Sequence, residues 1–305
     1  MIEYAGATVC VDRTAVPSAA HLWGIALSGS TSGGRLPRRA RRPLRPHGTA
    51  RRRMPAPLRH TLECASRVIP EQRLIAVIAR DHSAYYDSEL RGLGEVERVV
   101  QPRYRGSAAE IFLPVLKIHQ RDPHATVVLL PADGLVGYEP RLMTYVAKAV
   151  QVVTRRPELP VVIGTHPCSP DPEWPWLEPG EPVEGLEALG VHAVRRFYPA
   201  PSRGQALALY EGDGLLSTGV IVARARTLLD LGARYLPDVL ETLEPLEAHF
   251  GAPEERLLCE AVYEGMPVAN ISHGLFTAAE PFAVLPVADV VWRDLSAPMM
   301  EAVAS

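Results

Sequence analysis

The chain is nearly without lysine. Of its 32 basic residues only Lys117 and Lys148 are lysines, so any chemistry needing a lysine elsewhere is excluded. Its four cysteines, Cys10, Cys64, Cys168 and Cys259, are far apart, with no CxxC and no Cys/His pair at metal-ligand spacing. That pattern argues against a disulfide framework and a zinc site and favours reduced thiols. No apolar run approaches the roughly 20 residues that span a bilayer. The first twenty residues carry Glu3 and Asp12 and lack a basic-then-apolar leader pattern. A soluble cytoplasmic protein without a membrane partner is expected.

What is present is a chain of 305 residues, 47% of them hydrophobic, enough to bury a full core and too much for a disordered or fibrous protein. The formal charge of −3 conceals a split. From Arg35 to Arg59 there are ten arginines and no acid, which leaves −13 on the remainder.

Short apolar runs alternate with amphipathic ones. Strands are predicted at 23–27, 73–79, 97–101, 125–130 and 159–164, and helices at 57–68, 83–92, 107–120 and 140–154. Strand and helix in alternation imply parallel pairing with both faces covered. Beyond Gly164 the rhythm changes: a Pro-rich stretch at 167–182, apolar runs at 191–197, 219–224 and 282–287, and helices at 203–211, 227–235 and 253–263. We read one α/β domain over 21–298, with a mixed, mostly parallel central sheet. Residues 1–20 form an N-terminal extension expected to be poorly ordered, 35–57 an Arg/Pro-rich loop, and 299–305 a tail.

In open α/β sheets ligands gather at the carboxyl ends of the parallel strands. After the first strand comes LSGSTSGGRL (Leu27 to Leu36), small residues whose N–H groups can approach phosphate, followed by Arg35; a plain surface loop fits the same residues. After the fourth comes Pro131-Ala132-Asp133-Gly134, where the carboxylate can hold Mg²⁺ or simply close an Asx turn. After the third, Arg105-Gly106-Ser107 opens a helix, as an anion site or as a Ser107 cap.

In this order, these pieces resemble the sugar-1-phosphate nucleotidyltransferases, and among them the mannose-1-phosphate guanylyltransferases, over about His21 to Pro298. LSGSTSGGRL stands where the family has LAGG-x-GTRL, QPRYRGSA (Gln101 to Ala108) where it has EP-x-x-R-(N/G)-TA, and PADG where it has PADH. GTHP (Gly164 to Pro167) with WPWLE (Trp174 to Glu178) matches G-I-x-P and YG(Y/W)IE; Leu216-Ser217-Thr218-Gly219 matches WNSG, and Trp292 to Ser296 the closing W-S-D-(V/L)-G.

The resemblance implies a Rossmann-like, three-layer nucleotide-diphospho-sugar transferase fold. It also implies that GTP or another nucleoside triphosphate and a sugar 1-phosphate react to a nucleotide sugar and pyrophosphate, with Mg²⁺ as cofactor. Asp133 and Asp294 would hold the metal, and Arg35 would act beside them. Leu27, Gly29, Gly33, Gly34, Arg105, Gly106, Ser107 and Ala108 would face the nucleotide; Gly164, Glu178, Ser217, Thr218 and Gly219 would face the sugar.

The lysine shortage falls on this pattern. The family keeps lysines in PKQF and VEKP elements; here those regions read RPHGTARRRMP and RRFYPAPS. The flexible glycine of YG(Y/W)IE is Pro175, and the Trp-Asn of WNSG is Leu216-Ser217. A second reading therefore stands beside the enzyme: a catalytically impaired homologue that binds a nucleotide or a protein partner. The arginine block has three readings of its own: cations replacing the lysines, a polyanion patch, or eroded sequence. With no recognisable module or interleaved aromatics, nucleic acid is not expected as a partner. A homodimer stays open.

Overall fold

Apolar runs bounded by turn residues become strands here, and amphipathic runs of 3.6-residue period become helices. The computed structural model describes residues 19–28, 57–132, 134–136, 139–276, 281–288 and 292–294. In chain order the elements are β1 (Leu22–Leu27), α1 (Pro57–Ala65), β2 (Leu74–Ala79), α2 (Ser83–Glu89), β3 (Glu97–Gln101), α3 (Ser107–Arg121), β4 (Thr126–Pro131), β5 (Gly134–Val136), α4 (Glu139–Arg155) and β6 (Val161–Thr165). Then come β7 (Trp176–Pro182), β8 (His192–Tyr198), α5 (Arg203–Glu211), β9 (Leu215–Arg224), α6 (Ala225–Tyr235), α7 (Pro237–Leu243), α8 (Glu255–Gly265), α9 (Ile271–Gly274), β10 (Ala283–Val287) and β11 (Trp292–Asp294).

Nine strands form one sheet in the order β3-β2-β1-β4-β9-β6-β10-β8-β7. Alternation along β1 divides the core: Leu22 and Ala26 face one hydrophobic cluster with residues of α1, α2 and α4, and Trp23, Ile25 and Leu27 face the other with α3, α6, α7 and α8. Three layers result, as the resemblance implied.

The expectation of a mostly parallel sheet is corrected. β3, β2, β1 and β4 are parallel neighbours, and β6 is parallel to β10. The pairs β4–β9, β6–β9, β10–β8, β7–β8 and β7–β9 are antiparallel. Because β7 bonds both β8 and β9, the second half of the sheet closes on itself as a barrel of β9, β6, β10, β8 and β7. The ten-residue β9 causes this, since it pairs with β4, β6 and β7 along its length.

The Pro-rich stretch does not read as a strand in the sequence, yet its second half is β7. Pro179 sits where the β7–β8 register shifts and Pro182 at the strand's end, positions where a missing N–H costs little. Most of the N-terminal extension, the arginine loop and the C-terminal tail lie outside the described residues. Among the described residues, no helix is long and apolar enough to cross a membrane.

Candidate functional site

The carboxyl ends of the parallel strands are tied together by their own polar groups. Ser28, next after β1, donates to the Val77 carbonyl of β2 through its N–H at 3.3 Å and its hydroxyl at 2.6 Å. The Tyr86 hydroxyl donates to the Ser28 carbonyl at 3.1 Å. Ala132 N–H donates to the Leu27 carbonyl at 2.8 Å, so the ends of β1 and β4 are one unit. The Leu27 side chain is buried in the core, and its carbonyl is the one taken by Ala132. Gly29, Gly33, Gly34 and Arg35 lie outside the described residues.

Asp133 also lies outside them, but its chain neighbours Ala132 and Gly134 do not. β11 runs antiparallel to β5 with Asp294 opposite Gly134, Arg293 opposite Leu135 and Trp292 opposite Val136. The register thus sets Asp294 beside the residue that follows Asp133, across 160 positions of sequence. Among the described residues, no cluster of three or more His, Cys, Asp or Glu side chains is arranged to hold a metal. The donor chemistry of Asp133 and Asp294, two carboxylates, is of the kind Mg²⁺ takes, since that ion fills its remaining positions with water and phosphate oxygens.

The 105–108 turn is locked from outside. Gly106 has φ 85° and ψ 169°, a region open essentially to glycine, and a Cβ there would lie 2.0 Å from the Ala269 carbonyl oxygen. Ala108 N–H donates to that oxygen at 3.1 Å, Ala269 N–H donates to the Arg105 carbonyl at 3.1 Å, and Ser107 N–H donates to Asn270 Oδ1 at 3.2 Å. The α3 N-terminus is therefore capped by the segment after α8, with Gly106 as N-cap; Ser107 does not cap it. The Ser107 hydroxyl instead accepts from Ile271 N–H at 3.0 Å. In this arrangement the first two amides of α3 are taken by protein oxygens. Arg105 reaches the end of α8, donating to the carbonyls of Tyr263 at 2.7 Å and Glu264 at 2.6 Å.

On the other flank Gly164, Ser217, Thr218 and Gly219 come together. Gly164 is the cross-strand partner of Ser217. Gly219 has φ 72°, and a Cβ there would meet Pro131 at 2.8 Å, so this motif packs directly on the last residue of β4. The Thr218 hydroxyl donates to the Ile163 carbonyl at 2.7 Å and accepts from Val220 N–H at 3.2 Å, holding the strand shift between Val162 and Gly164. Ser217 N–H donates to the Pro175 carbonyl at 2.9 Å.

Glu178 stands apart from that group, three residues beyond Pro175 and hence ~10 Å along β7. It lines a cavity of about 500 Å³ between β7, β8 and α5. Tyr198 donates to Glu178 Oε2 at 2.9 Å, and Arg195 Nη1 lies 3.3 Å from Oε1. Tyr198 and Arg195 were not singled out in the sequence, because no spacing rule pairs them with Glu178.

Neither lysine is at these sites. Lys117 of α3 is buried between Glu255 at 2.6 Å and Glu97 at 3.3 Å. Burial alone would raise the Glu97 carboxyl, but its hydrogen bond to Arg121 and the charges of Lys117 and Arg121 outweigh that and hold it below the usual range. Lys148 of α4 lies over the Tyr145 ring.

No family profile matches the chain, and no curated protein does. Solved structures do. A mannose-1-phosphate geranyltransferase from Thermus thermophilus matches with TM-score 0.71 and 23% identity over 90% of this chain and 76% of its own. A mannose-6-phosphate isomerase from Helicobacter pylori matches with TM-score 0.66 and 16% identity over 90% of this chain and 100% of its own. An inositol-1-phosphate CTP transferase from T. maritima matches at 0.50 and 11% over 91% of this chain and 90% of its own. At these identities what is shared is the fold, a mixed three-layer α/β architecture over nine-tenths of the chain.

Proposed function

We propose that the chain transfers a nucleotidyl group from a nucleoside triphosphate to a sugar 1-phosphate, releasing pyrophosphate and forming a nucleotide sugar. GTP and mannose 1-phosphate are the specific donor and acceptor of this reading. The observation that carries it is the β5–β11 pairing, which brings Asp294 to the neighbour of Asp133 at the carboxyl ends of β1 and β4. The fold shared with sugar-phosphate enzymes supports it.

In the proposed reaction an oxygen of the sugar phosphate forms a bond to the α-phosphorus, and the bond from that phosphorus to the bridging oxygen of pyrophosphate breaks. Positioning and charge neutralisation are then the protein's whole task. Asp133 and Asp294 would hold Mg²⁺, which when bound supplies positive charge to the phosphate oxygens. The loop from Gly29 to Arg35 takes the triphosphate, with Arg35 as the cation there. The Arg105 to Ala108 turn frames the nucleotide by shape, its Gly106 keeping the backbone close. Gly164, Ser217, Thr218 and Gly219 line the path from the metal to the sugar, and Glu178 lies at its far end.

The test is pyrophosphate release from GTP, mannose 1-phosphate and Mg²⁺. D133A and D294A are each expected to lower the rate on the order of 10²-fold or more. No release above background in the wild type, unchanged in both variants, ends the enzyme reading. Absence of release together with nucleotide-dependent thermal stabilisation favours the binding homologue instead.

A further inference from the structure

We infer that Arg195 reads the sugar: with Glu178 it clamps neighbouring hydroxyls at the end remote from the 1-phosphate, and the cavity accepts that end only when it is uncharged. This rests on the proposed transfer to a sugar 1-phosphate. The starting point is a break in alternation along β8. Val194 and Phe197 pack on the same hydrophobic cluster although three residues apart, a spacing that a regular strand cannot give.

The break is a bulge. Glu178 is opposite Arg196 and Pro179 is opposite Val194, so Arg195 is the inserted residue without a cross-strand partner. Two consecutive arginines therefore emerge on the outer side. Arg196 lies over the Tyr198 ring at 5.7 Å, while Arg195 turns to Glu178 and lines the cavity. Re-aiming one side chain is what a bulge does, at the cost of ladder bonds. The Arg195–Glu178 pair does not account for that cost, since its side chains are 61% and 30% exposed and such pairs add little stability.

The chemistry of the cavity selects the ligand. Glu178 has one oxygen bonded to Tyr198 and the other to Arg195, which fixes the carboxylate and leaves further lone pairs to accept hydroxyl protons. Arg195 has donors to spare for the hydroxyl oxygen next along. Among the lining residues Arg195 is opposed by Glu178, Glu181 and Asp213, a formal charge of −2. A second phosphate or a carboxylate at this end of the sugar is repelled, and a neutral diol is not.

The experiment is calorimetric titration of the full chain with mannose 1-phosphate and with mannose 1,6-bisphosphate, in wild type, R195A and R195K, alongside melting temperatures. Expected is about a ten-fold or greater rise in Kd for the monophosphate in R195A, partial recovery in R195K, and no change in melting temperature. The bisphosphate is expected to bind wild type at least about ten-fold more weakly than the monophosphate. Wild-type affinity in R195A, equal affinity for the two sugars, or no binding of either overturns the inference. Arg195-dependent binding without pyrophosphate release leaves it standing while the enzyme reading falls. Release with R195A binding as wild type does the reverse.

Discussion

At Gly106 the backbone conformation and the space above Cα both require the absence of a side chain. G106A is expected to destabilise the protein by about 2–4 kcal/mol, because an unfavourable φ adds to a clash with backbone that cannot swing away. Urea unfolding measures it. An unchanged midpoint would mean that the 269–271 segment leaves α3 freely. The sequence marks this glycine only as part of a helix start; its reason lies at Ala269, 163 residues later. The same holds for Thr218, whose hydroxyl bonds another strand, and for Arg195, whose direction is set by a bulge that the run VHAVRRF does not reveal. The β5–β11 pairing that sets Asp294 opposite Gly134 was not legible, because a three-residue strand is too short to show a period.

Among elements, the buried Lys117 ties α3 to β3 through Glu97 and to α8 through Glu255. K117A leaves two carboxylates without their shared cation and is expected to cost about 3 kcal/mol in denaturant unfolding. K117M with E255Q is expected to recover more than half of that, since an apolar chain of similar length replaces an ion whose partner is also neutral. Failure to recover would locate the loss in packing against Phe250, over which the ammonium sits. Helix α5 shows how legible an element can be: its predicted range 203–211 is the observed one, closed by a capping box between Ser202 and Gln205. Strand β7 shows the opposite. Three prolines at 175, 179 and 182 hide it, and only its place between β8 and β9 satisfies its backbone.

For the whole molecule, pH is a readable coordinate. Burial raises the Asp122 carboxyl, but hydrogen bonds from Trp23 and His21 outweigh it, so this group, like Glu97, titrates below its usual range. A depressed carboxyl contributes stability that is present above its unfolded value of about 3.9–4.3 and lost as pH falls through the folded value. Glu89, raised by burial, acts with the opposite sign. Glu158 and Glu187 are lowered as well, by hydrogen bonds to their carboxylates, so among the described residues four depressed carboxyls stand against one raised, and the melting temperature is expected to fall between about pH 5 and pH 3. D122N is expected to flatten that fall; an identical slope would remove Asp122 from the account. The parallel half of the sheet was legible because LIAVIA and TVVLLP are unbroken apolar runs. The barrel half was not, because it depends on which distant strands β9 and β7 touch.

The pairing of β11 with β5 also carries a schedule. A chain made from its N-terminus places Gly134 long before Asp294, and at about 5–20 residues per second the interval is ~8–32 s. During that wait β10 is also missing from between β6 and β8, so the barrel has two open edges while the parallel half already has all its strands. The pairing on which the proposed chemistry depends is thus among the last contacts to form, and a chain halted before residue 283 carries a nearly finished sheet without it.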